Sequence, residues 1–348
     1  MRALVYKGRH RLALETRPVP RLAGPTDAVV RMTTTTLCGT DLHILKGDLP
    51  EVAAGRVLGH EGVGVVEEAG TAVRLFKPGD RVVVSCITAC GVCPRCRTGM
   101  CSHCASGGWA LGHAIDGTQA EFVRVPCADG SLHLLPDGLD EEAGAMFSDV
   151  MPTAYECGVR RSALRPGERM AVVGAGPIGL AVVMTAALHG PAEVVAVDVD
   201  ENRLAAAREL GATKAVECSD DGRAAETVRC LAGGDGVDVA VEAVGLPATF
   251  ELCAELLAPG GRLANVGVHG GPAALRLERL WPLNVTVTTQ LVDATTTPML
   301  LGLAARGRLE AGRLVTHRFP FSEAERAYEV FAHAARERAL KVALKVGE

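Results

Sequence analysis

Four cysteines, Cys90, Cys93, Cys96 and Cys104, follow one another in the spacing C-x2-C-x2-C-x7-C. Four soft thiolates on one short stretch can close a tetrahedral shell around a single ion, and zinc is the usual occupant. If all four bind, no coordination position stays open, so the expected role is structural. The alternative is a metal-free thiol cluster, but so regular a spacing rarely arises from packing alone, and Cys101, the spare thiol nearby, breaks it. A second set mixes sulfur, nitrogen and oxygen donors: Cys38 in Cys38-Gly39-Thr40-Asp41-Leu42-His43, and His60 with Glu61 in Gly59-His60-Glu61. Such a set suits a catalytic zinc with an exchangeable position. By itself it is a weak signal, because a His beside a Glu is more often a hydrogen-bonded structural pair.

A third feature is Gly174-Ala175-Gly176-Pro177-Ile178-Gly179. Gly174 allows a tight turn, Gly176 lets a pyrophosphate approach the backbone, and Gly179 lets a helix lie close on a strand, its N-terminus facing the phosphates. The motif is weak alone, but here it lies between a predicted strand and a predicted helix. Asp198 ends the next strand nineteen residues after Gly179. Its carboxylate can accept both ribose hydroxyls of NAD and would repel the 2′-phosphate of NADP. The competing reading is a nucleotide-free α/β domain with Asp198 as a helix cap. One closed metal set, one mixed set and one dinucleotide cradle point together to metal-assisted hydride transfer.

Two kinds of text must position these groups. Up to about residue 150, short β-branched runs such as Ala28-Val29-Val30, Val63-Gly64-Val65-Val66 and Arg81-Val82-Val83-Val84 alternate with turn signals such as Lys77-Pro78-Gly79-Asp80. This predicts an antiparallel, barrel-like domain with the cysteine quartet on a projecting loop at about 86–108. From residue 152 apolar strands alternate with helical segments: Met170–Val173, Ile178–His189, Val194–Val197, Glu201–Leu210, then Val237–Val241 and Arg262–Val266. That is the rhythm of a parallel sheet. It stops near residue 293, after which a helix over Ala324–Ala335 and a strand over Leu340–Val346 are expected to return to the first domain. The predicted division is therefore 1–151 with 293–348, and 152–292.

With 348 residues, 48% of them hydrophobic and 22% charged, the chain is globular and long enough for two cores. Its net charge of −5 gives no reason to expect nucleic acid or a membrane surface as partner. No secretory signal and no bilayer-spanning apolar run is evident, so the expected location is the cytoplasm. There the twelve cysteines read as ligands or buried thiols rather than disulfides.

At these residues the chain resembles the zinc-dependent medium-chain alcohol dehydrogenases, closest in pattern to bacterial members with an Asp zinc ligand. The matches run in order from Cys38-Gly39-Thr40-Asp41 through Gly59-His60-Glu61-Gly62-Val63-Gly64, the quartet and the glycine motif to Val266-Gly267-Val268. The resemblance implies a GroES-like, mostly β catalytic domain and a Rossmann coenzyme domain, with two zincs per chain and NAD. It implies that Cys38, His60 and Asp149 ligate the catalytic zinc, with Glu61 able to join them. It makes Thr40 the hydroxyl touching the substrate oxygen, His43 the end of the proton relay, and Asp41 the acceptor of the second ring N–H of His60. Arg203 would lie over the adenosine, Val244 and Val268 would flank the nicotinamide, and Lys341 would reach the pyrophosphate. Gly39 departs from the liver-type members, which carry a basic residue there. Cys86 and Trp109 fall where a substrate pocket is expected. The implied substrates are uncharged primary or secondary alcohols and the matching aldehydes or ketones. Polyol, threonine or formaldehyde dehydrogenases are enzyme alternatives, and a nucleotide-binding or crystallin-like protein is the non-catalytic one. Family habit suggests a homotetramer, with a dimer second.

Overall fold

The strand Ala28–Thr36 is buried along most of its length and pairs with three others, which makes it the spine of one sheet; Ala28, Val30 and Met32 face a core, while Arg31 turns out toward Glu67. The computed structural model describes residues 1–218 and 223–347. The chain forms two compact units, Met1–Pro152 with Asp293–Glu348, and Thr153–Val292.

In the first unit the strands lie in the order Val315–Pro320, Lys341–Lys345, Ala28–Thr36, Gly62–Ala69, Arg81–Val84 and Leu132–Leu134, with Phe122–Val125 also pairing Ala28–Thr36. Neighbours are antiparallel, as expected, except Val315–Pro320 and Lys341–Lys345. Between those two strands the chain crosses over through the helix Ala324–Ala332, and a crossover of that kind leaves its strands parallel. Phe321, Tyr328 and Phe331 from this returning segment fill the core beside Leu4, Met32 and Val82. The expected helix over 324–335 is interrupted at His333, which separates Ala324–Ala332 from Ala334–Glu337.

His133, in the strand Leu132–Leu134, carries a measurable consequence. Burial pushes its imidazole down from 6.5 to about 4, because the charged form loses hydration and no carboxylate replaces it. The folded protein therefore holds this group neutral while the unfolded chain protonates it. Stability from this group is complete above pH 6.5 and is lost as pH falls toward 4, at up to roughly 1.4 kcal/mol per pH unit. Urea unfolding of His133→Gln between these limits is expected to show a shallower acid slope than the parent; parallel curves would refute it.

The second unit is a six-stranded parallel sheet in the order Lys214–Glu217, Glu193–Asp198, Arg169–Val173, Val237–Glu242, Leu257–Asn265, Thr286–Thr289. Numbered along the chain this is 3-2-1-4-5-6, the doubly wound dinucleotide-binding order. Its central strands are near-continuous apolar runs because both faces are covered. The switch point, where ligands bind such sheets, falls between Arg169–Val173 and Val237–Glu242. The helix Pro177–Ala186 opens directly from the glycine turn with proline in its first position. Cys157 lies buried in a π-helical segment, Ala154–Arg160.

Candidate active site

In the first unit one ligand atom from each of Cys38, His60, Glu61 and Asp149 lies within 4.8 Å of every other. Three segments deliver them. Cys38 caps the helix Gly39–Lys46, its N–H bonded to Asp41 Oδ2 at 2.9 Å. His60 and Glu61 immediately precede Gly62–Ala69, and Ser148 stitches the third segment to that strand. Its Oγ accepts from Gly62 N–H at 2.9 Å and donates to Gly62 O at 3.2 Å, next to Asp149.

The electrostatics of this set ask for a cation. His60 Nε2 faces Asp149 Oδ2 at 3.3 Å, and Cys38 Sγ stands 4.0 Å from the same oxygen. Burial alone would lower the pKa of His60, yet the negative Cys38 and Asp149 carry it well above the ordinary imidazole range. A proton is drawn in where a metal ion would supply more charge, and metal binding at such donors displaces it. Thr40 Oγ1 lies 3.6 Å from Cys38 Sγ, at the same mouth. Trp109 stands edge-on to His60, with ring centroids 6.4 Å apart, and stacks on His113 at 4.4 Å. Cys86 is buried with its N–H bonded to Ser148 O.

Two expectations are corrected here. Lys341 does not extend toward a phosphate: it is buried, and its Nζ donates to Glu61 Oε1 at 2.8 Å, Glu61 Oε2 at 2.5 Å and Leu37 O at 2.9 Å. A buried carboxylate needs a partner, and this lysine is it. The bond from His60 to Asp41 is not formed either. Asp41 Oδ2 accepts from Gln119 Nε2 at 3.0 Å as well as from Cys38 N–H, while its buried Oδ1 has no hydrogen-bond partner. His43 sits on the outer side of its helix, Nδ1 at 2.9 Å from Asp48 Oδ2. Gln119, Tyr328 and Ser148 escape sequence reading because they carry no ligand spacing; their roles follow only from contacts far along the chain.

The quartet Cys90, Cys93, Cys96 and Cys104 also converges within 4.8 Å. Backbone N–H groups point at its sulfurs: Cys90 N to Cys104 Sγ at 3.3 Å, Cys93 N to Cys90 Sγ at 3.4 Å and Cys96 N to Cys93 Sγ at 3.5 Å. The N–H groups of Cys96 and Ala105 pull the Cys93 thiol down to about 6, whereas burial and the neighbouring sulfurs push Cys96 up. Thiols crowded in this way are the donors a divalent ion would hold as thiolates. The loop is pinned by Ser102, whose N–H and Oγ both donate to Asp293 Oδ1 at 2.8 and 2.7 Å.

In the second unit Gly174 has φ +97, and a Cβ on Gly179 would lie 1.8 Å from Gly174 O, so the turn and the helix contact both require glycine. A Cβ on Gly176 would meet nothing within 4 Å, which leaves the side where Pro177 and Ile178 begin the helix open to a ligand. Asp198 is buried and fastens the turn, accepting from Ala175 N–H at 2.6 Å and Asp200 N–H at 3.0 Å. Arg203 is half-buried one helical turn on, its N–H capped by Asp200. Val244 and Val268 are 42% and 60% exposed beside the glycine turn, apolar groups left uncovered at a strand-end mouth. Beneath them lies Glu242, fully buried and unmarked by any motif. Its Oε1 accepts from Val244 N–H, Gly245 N–H and Thr249 Oγ1 at 2.9, 2.8 and 2.7 Å.

A cysteine–histidine–carboxylate set in a mostly antiparallel unit, carried on the same chain as a doubly wound dinucleotide sheet, defines a metal-using oxidoreductase of the nicotinamide class. The comparisons with known proteins make this narrower. Residues 24–137 match the alcohol dehydrogenase GroES-like domain, and residues 177–305 match the zinc-binding dehydrogenase domain. An alcohol dehydrogenase of Cupriavidus necator is 36% identical over 99% of this chain and 98% of its own. The solved apo form of zinc-dependent alcohol dehydrogenase 2 from Streptococcus pneumonia superposes with a TM-score of 0.96 at 45% identity, covering 100% of this chain and 99% of that one. The alcohol dehydrogenase TADH from Thermus sp. ATN1 follows at a TM-score of 0.92 and 38% identity, covering 99% and 100%. The chain belongs to the zinc-dependent medium-chain alcohol dehydrogenase family.

Proposed function

We propose that the protein interconverts uncharged primary or secondary alcohols with aldehydes or ketones, passing hydride to and from NAD with a zinc ion held by Cys38, His60 and Asp149, Glu61 standing by as a fourth donor. The observation that carries the reading is the convergence of those four donor atoms within 4.8 Å. When bound, zinc supplies Lewis acidity, which eases loss of the hydroxyl proton and polarises a carbonyl in the reverse direction. Thr40 Oγ1, beside the Cys38 sulfur, is placed to accept that proton. His43 is the weaker part of the relay, since it faces Asp48 at the surface. Asp41 acts by holding the Cys38 backbone. The Trp109 ring, standing by His60, gives the pocket an apolar wall and helps to exclude water.

Support for NAD comes from Asp198: a buried carboxylate at the end of the second strand disfavours a 2′-phosphate. Gly174, Gly176, Pro177, Ile178 and Gly179 would bind the pyrophosphate, with Val244 and Val268 against the nicotinamide and Arg203 toward the adenosine. The quartet is assigned a second, structural zinc. Self-association, as a homotetramer or failing that a dimer, is supported by the edge strand Thr286–Thr289 and by Trp281 and Leu277, which are 76% and 63% exposed. No helix among the described residues is long and apolar enough to cross a membrane. A thiol-rich metal protein suits a reducing compartment, and the proposed location is the cytoplasm.

The test is formation of reduced coenzyme with a panel of simple alcohols, polyols and threonine, before and after chelation. Alcohol-dependent turnover that prefers NAD to NADP, disappears with the chelator and returns with zinc is the expected result. Turnover confined to polyols or threonine, or none with any alcohol or carbonyl while zinc and NAD are bound, would overturn the reading.

A further inference from the structure

Gln119 touches both chain segments that carry the metal donors. On one side its Nε2 donates to Asp41 Oδ2 at 3.0 Å and lies 3.4 Å from Thr36 O, on the run that leads into Cys38. On the other, its backbone N–H bonds to Leu58 O at 3.0 Å, and its Cγ lies 2.6 Å from where a Cβ on Gly59 would stand. Gly59 has φ +91 and directly precedes His60, so its lack of a side chain is what admits the glutamine. The adjacent Thr118 tightens the same buckle: its N–H donates to Gly59 O at 3.0 Å, and its Oγ1 to Glu61 O at 2.8 Å.

An amide can face either way, and here the Asp41 carboxylate and the Thr36 carbonyl, which can only accept, set its direction. The Tyr328 hydroxyl donates to Gln119 Oε1 at 2.8 Å, from the helix Ala324–Ala332 of the returning segment. With the NH2 turned to those acceptors, the amide oxygen is left to accept the Tyr328 O–H. The reverse orientation would set two acceptors against each other in a site from which water is excluded, since Gln119 and Asp41 are fully buried and Tyr328 nearly so. Asp41, thus held, accepts the Cys38 N–H and fixes the backbone from which the Cys38 sulfur projects.

We propose that Tyr328 and Gln119 are positioning residues for the mixed donor set: a directional chain from Tyr328 through Gln119 to Asp41 locks the Cys38 and His60 segments in the spacing a metal ion needs. The inference rests on the metal role proposed above for Cys38 and His60, but concerns residues that no ligand spacing marks. Outer groups of this kind typically change metal affinity about ten- to a hundredfold when removed.

The test is metal binding, measured with neither alcohol nor coenzyme. Tyr328→Phe keeps the ring and removes only the hydroxyl; Gln119→Leu removes the amide. Each protein is titrated with zinc against a chromophoric chelator and reconstituted with cobalt for its visible spectrum, the quartet serving as internal control. The expected result is that Tyr328→Phe weakens the mixed site severalfold and Gln119→Leu about tenfold or more, with shifted cobalt bands and unchanged quartet affinity. Folded variants with parental affinity and spectrum at the mixed site would overturn the proposal, as would equal weakening of both sites, which would signify general loosening. A protein that binds metal in this pattern but turns over no alcohol would leave this inference standing and remove the proposed activity.

Discussion

Replacing Cys38 by alanine is expected to abolish turnover, lowering kcat/KM by on the order of a thousandfold or more, while the protein stays folded. The loss follows from what the residue contributes. Its sulfur is the only soft anionic donor in the set, and it stands with His60 and Asp149 around a common point. Without it an ion keeps one imidazole and carboxylates, a harder set that holds zinc less tightly. An ion that no longer occupies the site supplies no charge where the hydroxyl proton departs, and several kcal/mol of transition-state stabilisation go with it. Folding should survive because Cys38 lies in an extended N-cap conformation that alanine also adopts, and Asp41 still accepts the backbone N–H. The check is steady-state kinetics together with zinc content and coenzyme affinity. One zinc lost per chain, the quartet zinc kept, NAD still bound and no turnover is the expected pattern. Parental kcat would show that Cys38 is not in the chemistry.

The features of the site differ in how far they can be read from the sequence, and distance along the chain is the physical reason. The cysteine quartet and the glycine turn are local patterns, since the geometry they need is set within a few residues. The fold class was legible for a related reason: Arg81–Val84, Arg169–Val173 and Glu193–Asp198 declare themselves by β-branched runs, and the alternation of the last two with helices implies a parallel sheet. What escaped depends on pairing across the fold. Lys341 meets Glu61 across 280 residues, and Tyr328 meets Gln119 across 209. Nothing in the text around Leu340-Lys341-Val342 tells a buried lysine from one aimed at solvent or phosphate. Asp41 was expected to serve His60, but a glutamine 78 residues away took the carboxylate first. The single reversal of strand direction at Val315–Pro320 likewise follows from where the returning helix lies, which no local propensity encodes.

The second large effect is expected at Lys341, whose replacement by methionine should destabilise the first unit by about 3–5 kcal/mol. Lys341 and Glu61 have side chains only 2% and 1% exposed, so both charges have left water entirely. Burial raises the pKa of Glu61 and the lysine opposes that rise; burial depresses Lys341, and Glu61 together with Cys38 and Asp149 more than offsets it. Each ion thus favours the charged form of the other. Thr36 Oγ1 and Leu37 O complete the arrangement, satisfying the carboxylate and the ammonium. Methionine fills nearly the same volume, so no cavity term enters and the cost is that of an unpaired buried carboxylate, which must ionise alone or take up a proton. Removing the second charge as well should recover much of the loss: Glu61→Gln combined with Lys341→Met is expected to be more stable than Lys341→Met alone, by a coupling that independent sites would not show. Urea unfolding of the parent, both single variants and the double variant completes the cycle. A cost below about 1 kcal/mol for Lys341→Met, or strict additivity in the cycle, would show that the pair carries no such interdependence. The same carboxylate is one of the four converging donors, so releasing it from the lysine frees a hard anion beside Cys38 and His60. Lys341→Met should therefore also alter metal affinity at the mixed set and leave the quartet unchanged, which separates loss of the ion pair from general unfolding.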